Sequence, residues 1–345
     1  MRTSKRSAYR RRMEELRREA GRNLRILPAA ITARSLRNGC TYLLDGGGKH
    51  IRSTIVVLSC QAVGGKGADA ADAAAAVEIL HNFTLVHDDI MDNADARRGR
   101  RTVHTKWDVN LALLVGDVLV GSAYERLLKG ARGHHRELAA VFTQGLIDVC
   151  DGQALDLENE RRKDVTVAQY FRMIEKKTGA LLGMSAELGG IIGGGTPRQQ
   201  RALRVFGRCL GRAFQLQDDL LDVVADPADF GKTLGGDIIG RKKTFLLLTA
   251  VRKAAGKARR LLESVLRKGN SSRPWRKRTG ALTEAGRETV AAVAALYERC
   301  GALDDARRLI RRNTDEALRS LSRLPDTVAR SMLVQLAEDL TTRVS

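Results

Sequence analysis

Two clusters of identical pattern, Asp88-Asp89-Ile90-Met91-Asp92 and Asp218-Asp219-Leu220-Leu221-Asp222, each lie at the far end of an apolar, helix-like run. A step of four residues turns an α-helix by roughly 400°, which stacks Asp88 over Asp92 and Asp218 over Asp222 on one face. Like charges at this spacing repel, and placing them beside apolar residues costs free energy unless a cation compensates. Oxygen donors without His or Cys partners favour Mg²⁺ over Zn²⁺. Because Mg²⁺ is commonly held by one or two carboxylates, several waters and substrate phosphates, the pattern points to a phosphorylated ligand. The bland alternative, a solvated acidic face, explains one such cluster more readily than two copies.

A diphosphate needs cationic partners, and candidates stand beside glycines or at helix ends: Lys49, Arg52, Arg97, Arg98, Lys177, Lys232 and Lys242. Singly each reads as a solvated surface charge. Lys49 and Arg52 gain weight from the preceding Gly46-Gly47-Gly48, and Arg97-Arg98 from their position just past the first carboxylates. His81 lies seven residues before Asp88, about two helical turns, so it shares that face and can donate to a phosphate oxygen. A hydrogen-bonded core histidine is the competing reading.

The elements that must position these groups read as helices almost throughout. No proline occurs between Pro28 and Pro197, while Ala, Leu, Glu and Arg abound and alternating β-branched stretches are scarce. One helical stretch ends at Asp45-Gly46. Another begins near Asp69 and delivers the first acidic cluster, and Arg97-Arg98-Gly99 punctuates its exit. Further helices are expected over Leu111–Leu128, His135–Leu157, Val167–Leu188 and Gln199–Val224, the last stopped by Asp226-Pro227. A basic loop from Lys268 to Thr279 precedes three amphipathic C-terminal helices. With no fixed-period repeat and no sharp change in composition, one helical domain from residue 24 to 345 is the simplest organisation, behind a basic leader at 1–23.

The 345-residue chain is 43% hydrophobic, ample for a buried core, and carries a formal charge of +20. That charge raises a nucleic-acid or membrane-surface reading. The basic residues are spread along the whole chain, however, no recognised nucleic-acid module occurs, and 4% aromatic content offers few stacking platforms. In the leader, Arg2, Lys5, Arg6, Arg10, Arg11 and Arg12 are followed quickly by Glu14, Glu15 and Glu19, with no signal-type apolar core. A frayed, unspecialised terminus is the expectation there. Five scattered cysteines suit reduced, mostly buried thiols, and no apolar run reaches spanning length, so a cytoplasmic protein is expected.

Gly47-Gly48-Lys49-His50-Ile51-Arg52, the segment from His81 to Asp92 with Arg97-Arg98-Gly99, Gly152-Gln153-Ala154-Leu155-Asp156, Lys177-Thr178 and Phe214 to Asp222 occur in the order found in trans-isoprenyl diphosphate synthases. The chain resembles that family from about Leu24 to the C-terminal helix. The resemblance implies an all-α fold, a bundle of antiparallel helices around a deep central cavity, with the two acidic clusters facing one another at its mouth, and a homodimer. By the same resemblance Asp88, Asp92 and Asp218 ligate Mg²⁺, three ions per site, on an allylic diphosphate, with Asp89, Asp219 and Asp222 in support. Arg97, Lys177, Thr178, Gln215, Lys232 and Lys242 complete the allylic site, Lys177 with a catalytic part. Lys49, Arg52, His81 and Arg98 grip isopentenyl diphosphate, and Gln153 and Asp156 support. Three departures stand out: His50 where the family usually has Arg, Ser53 where it has Pro, and no Pro after Thr244.

The implied reaction ionises the allylic diphosphate, joins its carbocation to the isopentenyl double bond and adds five carbons. Leu80, Phe83 and Thr84, one or two turns before the first cluster, line the cavity that sets product length, with Phe83 as floor. An aromatic five positions before the cluster and a small residue at four resemble geranylgeranyl-type synthases more than farnesyl-type or longer-chain ones. A class I terpene cyclase is disfavoured by the second D-D-x-x-D, a non-catalytic partner subunit by the intact aspartates, and a basic helical binding protein by the motifs together.

Overall fold

The computed structural model describes residues 2–24, 31–225, 235–267 and 283–342. Among the described residues the fold is all-α apart from one small hairpin. Its helices are α1 (Arg2–Leu24), α2 (Arg34–Leu44), α3 (Ile51–Ala62), α4 (Ala71–Met91), α5 (Val103–Lys106), α6 (Val109–Lys129), α7 (His135–Arg161), α8 (Val167–Ile174), α9 (Ala180–Ile192) and α10 (Pro197–Val224). Beyond these follow α11 (Gly236–Ile239), α12 (Phe245–Lys253), α13 (Gly256–Arg267), α14 (Glu284–Arg299), α15 (Ala302–Leu321) and α16 (Val328–Thr341). Strands β1 (Ala96–Arg97) and β2 (Arg100–Arg101) pair antiparallel around Arg98-Gly99, both at positive φ. Asp226-Pro227, Lys232 and the basic loop from Lys268 to Thr279 lie outside the described residues.

The described chain groups into two compact units, each assembled from separated stretches rather than from one continuous segment. The first comprises residues 1–146, 181–207 and 320–334, the second residues 147–180, 208–319 and 335–345.

In the first unit α4 packs along α6, and the alanines Ala73 to Ala76 of α4 are buried. At Gly116 of α6 an added Cβ would lie 2.1 Å from His87 Nε2, so the glycine is the notch that receives this ring. The leader does not fray as expected. Met13, Leu16, Ala20 and Leu24 recur at helical spacing, are buried, and seat α1 beside α3 and α4. Among the described helices none is long and apolar enough to cross a membrane.

The second unit is built on a separate core in which Tyr170, Phe245, Leu262, Val293, Leu296, Tyr297 and Ile310 are buried together. Phe245 opens α12 right after Thr244, where the family's proline is missing. Its ring centroid lies 6.4 Å from that of Tyr170 and 6.0 Å from that of Phe171, so this position contributes core contact. The expected single helix over Val167–Leu188 is interrupted: α8 and α9 are joined by one π-helical turn, Glu175–Gly179. Ion pairs brace the widened turn, from Lys176 to Asp148 and Asp151, and from Arg208 and Arg212 to Glu175. Cys40, Cys60 and Cys209 are buried, Cys300 is half-buried, Cys150 is exposed, and none is in a disulfide.

Candidate active site

In the first unit, α4 runs unbroken through its acidic end, because the Asp92 backbone N–H donates to the Asp88 carbonyl at 2.8 Å. That bond puts the two residues one turn apart on one face, as their spacing predicts. Asp88 is half-buried and Asp92 exposed, whereas Asp89 between them is turned inward. Burial pushes the Asp89 carboxyl above its usual range, opposed by Arg97, whose Nε donates to its Oδ1 at 2.7 Å. Arg97 is thereby tied to the helix end through Nε alone, which leaves its two terminal nitrogens outside that bond.

The hairpin that carries Arg97 and Arg98 is anchored on α2 and on its own base. Tyr42 donates to the Arg101 carbonyl at 2.8 Å, and its ring lies under Arg100 and Lys106. Thr102 Oγ1 donates to the Ala94 carbonyl at 2.7 Å. Arg98 reaches the glycine loop, donating from Nη1 to the Gly47 carbonyl. A Cβ at Gly48 would stand 3.2 Å from that same nitrogen, so the glycine at 48 eases the approach of the guanidinium to the loop. Lys49 is exposed at the loop's end and Arg52 is half-buried in the first turn of α3. A cleft of about 380 Å³ borders this loop, lined by Arg18, Gly21 and Arg22 of α1 with Leu44, Asp45, Gly47 and His50.

His81 is held neutral: burial, then the nearby Arg52 charge, keep its imidazole well below the usual range. Its Nδ1 is buried without a hydrogen-bond partner. One turn earlier the buried Glu78 sits 3.4 Å from His50 Nδ1 and accepts from the Ser53 backbone N–H at 3.1 Å. Sequence reasoning missed Glu78, because a single Glu in an apolar helix carries no signal of its own. Of the product-length candidates, Leu80 is fully buried, while Phe83 and Thr84 are half-buried. Phe83 packs edge-on against His87 at 4.7 Å between ring centroids, and Thr84 Oγ1 donates to the His81 carbonyl at 2.8 Å.

In the second unit, Asp218 is exposed near the end of α10 and Asp219 is buried. Asp219 accepts from Tyr170 Oη at 2.6 Å and from Gln215 Nε2 at 3.0 Å. Asp222 is captured by the following segment, accepting from the Gly236 and Asp237 backbone N–H groups at 3.1 and 2.9 Å. It therefore caps α11 from a distance of more than a dozen residues. Burial, then repulsion from Asp237, pushes Asp219 up to about 7 and Asp222 up to about 6. Asp237 is a second group that the sequence reading missed, since its separation from Asp222 follows no helical period. Lys242, exposed, lies 3.6 Å from Asp237.

The π turn presents Lys177 and Thr178 together. Lys177 Nζ donates to Asp156 Oδ2 at 2.6 Å and Thr178 Oγ1 to Gln215 Oε1 at 3.0 Å. At Gly152 a Cβ would fall 2.2 Å from the Lys177 backbone nitrogen, so α7 approaches the turn as closely as backbones allow. Gln153, buried beside it, has an Oε1 with no hydrogen-bond partner.

The donor set around both helix ends is oxygen-only, and the repulsion that Asp237 exerts on Asp219 and Asp222 is relieved by a divalent cation. Among the described residues no three His, Cys, Asp or Glu side chains converge into a ready-made metal cage. An ion held jointly by one or two carboxylates and a ligand's phosphates fits this arrangement.

Residues 33–279 match the polyprenyl synthetase family. The chain is 38% identical over 309 residues to a short chain isoprenyl diphosphate synthase of Methanothermobacter thermautotrophicus, covering 89% of this chain and 90% of that one. It is 36% identical over 309 residues to a geranylgeranyl diphosphate synthase of Methanosarcina mazei, covering 88% of each. The crystal structure of a geranylgeranyl pyrophosphate synthetase from Pyrococcus horikoshii superposes with a TM-score of 0.88 at 32% identity, over 98% of this chain and 99% of that one. The two acidic helix ends, with the cationic groups placed around each, are therefore those of a prenyltransferase, and the chain belongs to the polyprenyl synthetase family.

Proposed function

We propose that this prenyltransferase condenses isopentenyl diphosphate with an allylic diphosphate and makes geranylgeranyl diphosphate. The observation that carries the reading is the pair of D-D-x-x-D helix ends, each with its middle aspartate turned inward and its first aspartate toward solvent or half-buried. Asp88, Asp92 and Asp218 are the residues that hold Mg²⁺, which when bound neutralises charge on the departing diphosphate. Arg97, Lys177, Thr178, Gln215, Lys232 and Lys242 bind and orient the allylic diphosphate. Asp156 holds the Lys177 ammonium in place, and the Gln215 bond does the same for Thr178. Lys49, Arg52, His81 and Arg98 grip isopentenyl diphosphate.

In the reaction the allylic carbon–oxygen bond breaks and its electron pair leaves with diphosphate. The isopentenyl double bond then supplies two electrons to the allylic carbon. A proton lost from the adjacent carbon restores a double bond, and the released diphosphate accepts it. No side chain has to act as a nucleophile; the residues bind, orient and exclude water. Product length is set by Leu80, Phe83 and Thr84, with Phe83 the floor. The relatives named for geranylgeranyl and short-chain products support that length. Val109, Leu113 and Leu114 are exposed apolar residues on α6, and they support a homodimer.

The test is incubation of purified protein with isopentenyl diphosphate and dimethylallyl, geranyl or farnesyl diphosphate, each with Mg²⁺, followed by chromatography of dephosphorylated products. A twenty-carbon alcohol is expected from all three primers. Cyclic hydrocarbons, or no product from any primer, sink the reading.

A further inference from the structure

A buried carboxylate sits among the residues assigned above to isopentenyl diphosphate, where a diphosphate site would ordinarily gather only cations. Glu78 of α4 is 4% exposed. His50 stands at the N-cap of α3 in a left-handed conformation, φ 46° and ψ 40°, and no side chain of its own caps that helix. Glu78 caps it from the neighbouring helix instead. Its Oε1 takes the N–H of Ser53, the third residue of α3, at 3.1 Å, and its Oε2 lies 3.4 Å from His50 Nδ1. Arg52 falls between those two contacts in the chain, and His81 is one turn along α4. Burial opposes the anion, yet the His50 hydrogen bond and the Arg52 charge hold Glu78 down to about 2. Arg98 also feels its charge.

The two departures from the family pattern near this point supply the partners. A proline at 53 has no N–H to give, whereas Ser53 donates one, and His50 brings its ring nitrogen to the second carboxylate oxygen. We propose that Glu78 is a positioning residue for isopentenyl diphosphate: by fixing the first turn of α3 it sets Arg52, and with it the neighbouring His81 and Arg98, in place before the diphosphate arrives. The inference deepens the function proposed above and rests on it.

Electrostatics and positioning make opposite forecasts. If Glu78 acted only through its charge, removing that charge would strengthen diphosphate binding, because a nearby anion repels the ligand. If it holds geometry, removal weakens binding. The experiment measures steady-state KM for isopentenyl diphosphate and, separately, for the allylic primer in Glu78→Gln, Ser53→Pro and the double variant, with melting temperatures. Glu78→Gln is expected to raise the isopentenyl KM on the order of tenfold while the allylic KM stays within about twofold. Ser53→Pro, which deletes the donor and keeps the carboxylate, is expected to raise it roughly threefold. The double variant is expected to fall short of the product of the two effects, since both weaken one connection, Glu78→Gln by making the acceptor a neutral amide and Ser53→Pro by deleting the donor.

An isopentenyl KM that is unchanged or lower in Glu78→Gln overturns the inference. So does a parallel rise of both KM values with a lowered melting temperature, which marks general damage, and so do effects that simply multiply. If Glu78→Gln does not fold, the KM split in Ser53→Pro decides alone. A wild-type chain that fails to condense either substrate brings down the functional reading and this inference with it; a wild-type chain that condenses, with variants that behave like it, brings down the inference alone.

Discussion

The two acidic helix ends have the same five-residue pattern and different surroundings. At the end of α4 the last aspartate, Asp92, is exposed and follows Asp88 by one turn of unbroken helix, so the two lie on one face. At the end of α10 the corresponding Asp222 is already used, its two oxygens accepting backbone N–H groups of Gly236 and Asp237. The middle aspartates also differ: Asp89 is bonded to a cation, Arg97, and Asp219 to the neutral donors Tyr170 and Gln215. The same motif thus leaves its third aspartate exposed in the first unit and bonded to distant backbone in the second. The third position of the second motif organises the chain that follows it.

The sharpest way to break this comparison is to remove the first aspartates. Asp88→Ala and Asp218→Ala are each expected to lower kcat/KM by roughly 10²–10³-fold or more at saturating Mg²⁺, while melting temperatures barely move. A fully active Asp218→Ala protein would falsify the assignment of the second cluster to the metal.

The third positions are expected to separate by stability. Asp222→Ala strands two backbone donors beside α11 and should cost about 1–3 kcal/mol, read as a lowered melting temperature. Asp92→Ala strands nothing comparable and should melt close to wild type despite its loss of activity. Equal melting of the two variants would erase the distinction.

A pH test sharpens the contrast between the units from the side of Glu78. Its folded-state pKa, about 2, lies below the ordinary carboxylate value, so its stabilising contribution is complete above that ordinary value. The contribution is lost as pH falls from the ordinary value through the folded one. Denaturant melts of wild type and Glu78→Gln should therefore differ most near neutrality and converge in acid; a gap that widens in acid contradicts the buried anion.

The smallest expected effect on rate, though not on outcome, is at the floor. Phe83→Ala removes the ring that packs against His87 and should lengthen the products, with kcat within about tenfold of wild type. An unchanged product distribution by chromatography would remove Phe83 from the length-setting set.

What the sequence determined by itself was everything that local periodicity encodes. The stacking of Asp88 over Asp92, the long helix ending at Val224 and the trio of C-terminal helices follow from a fixed rotation per residue and from apolar spacing. Even the leader was legible in principle, because Met13, Leu16, Ala20 and Leu24 hold helical spacing that its dense charge obscured. Only the tertiary structure decided that Asp92 is exposed while its counterpart Asp222 is bonded to distant backbone. Asp222 meets Gly236 and Asp237, Glu78 meets Ser53, and the π turn is braced by Asp148 and Arg208, in every case across a separation that no helical repeat spans. A hydrogen bond between residues far apart in the chain depends on where the rest of the polypeptide packs them, and a residue's own neighbours in sequence carry no record of it.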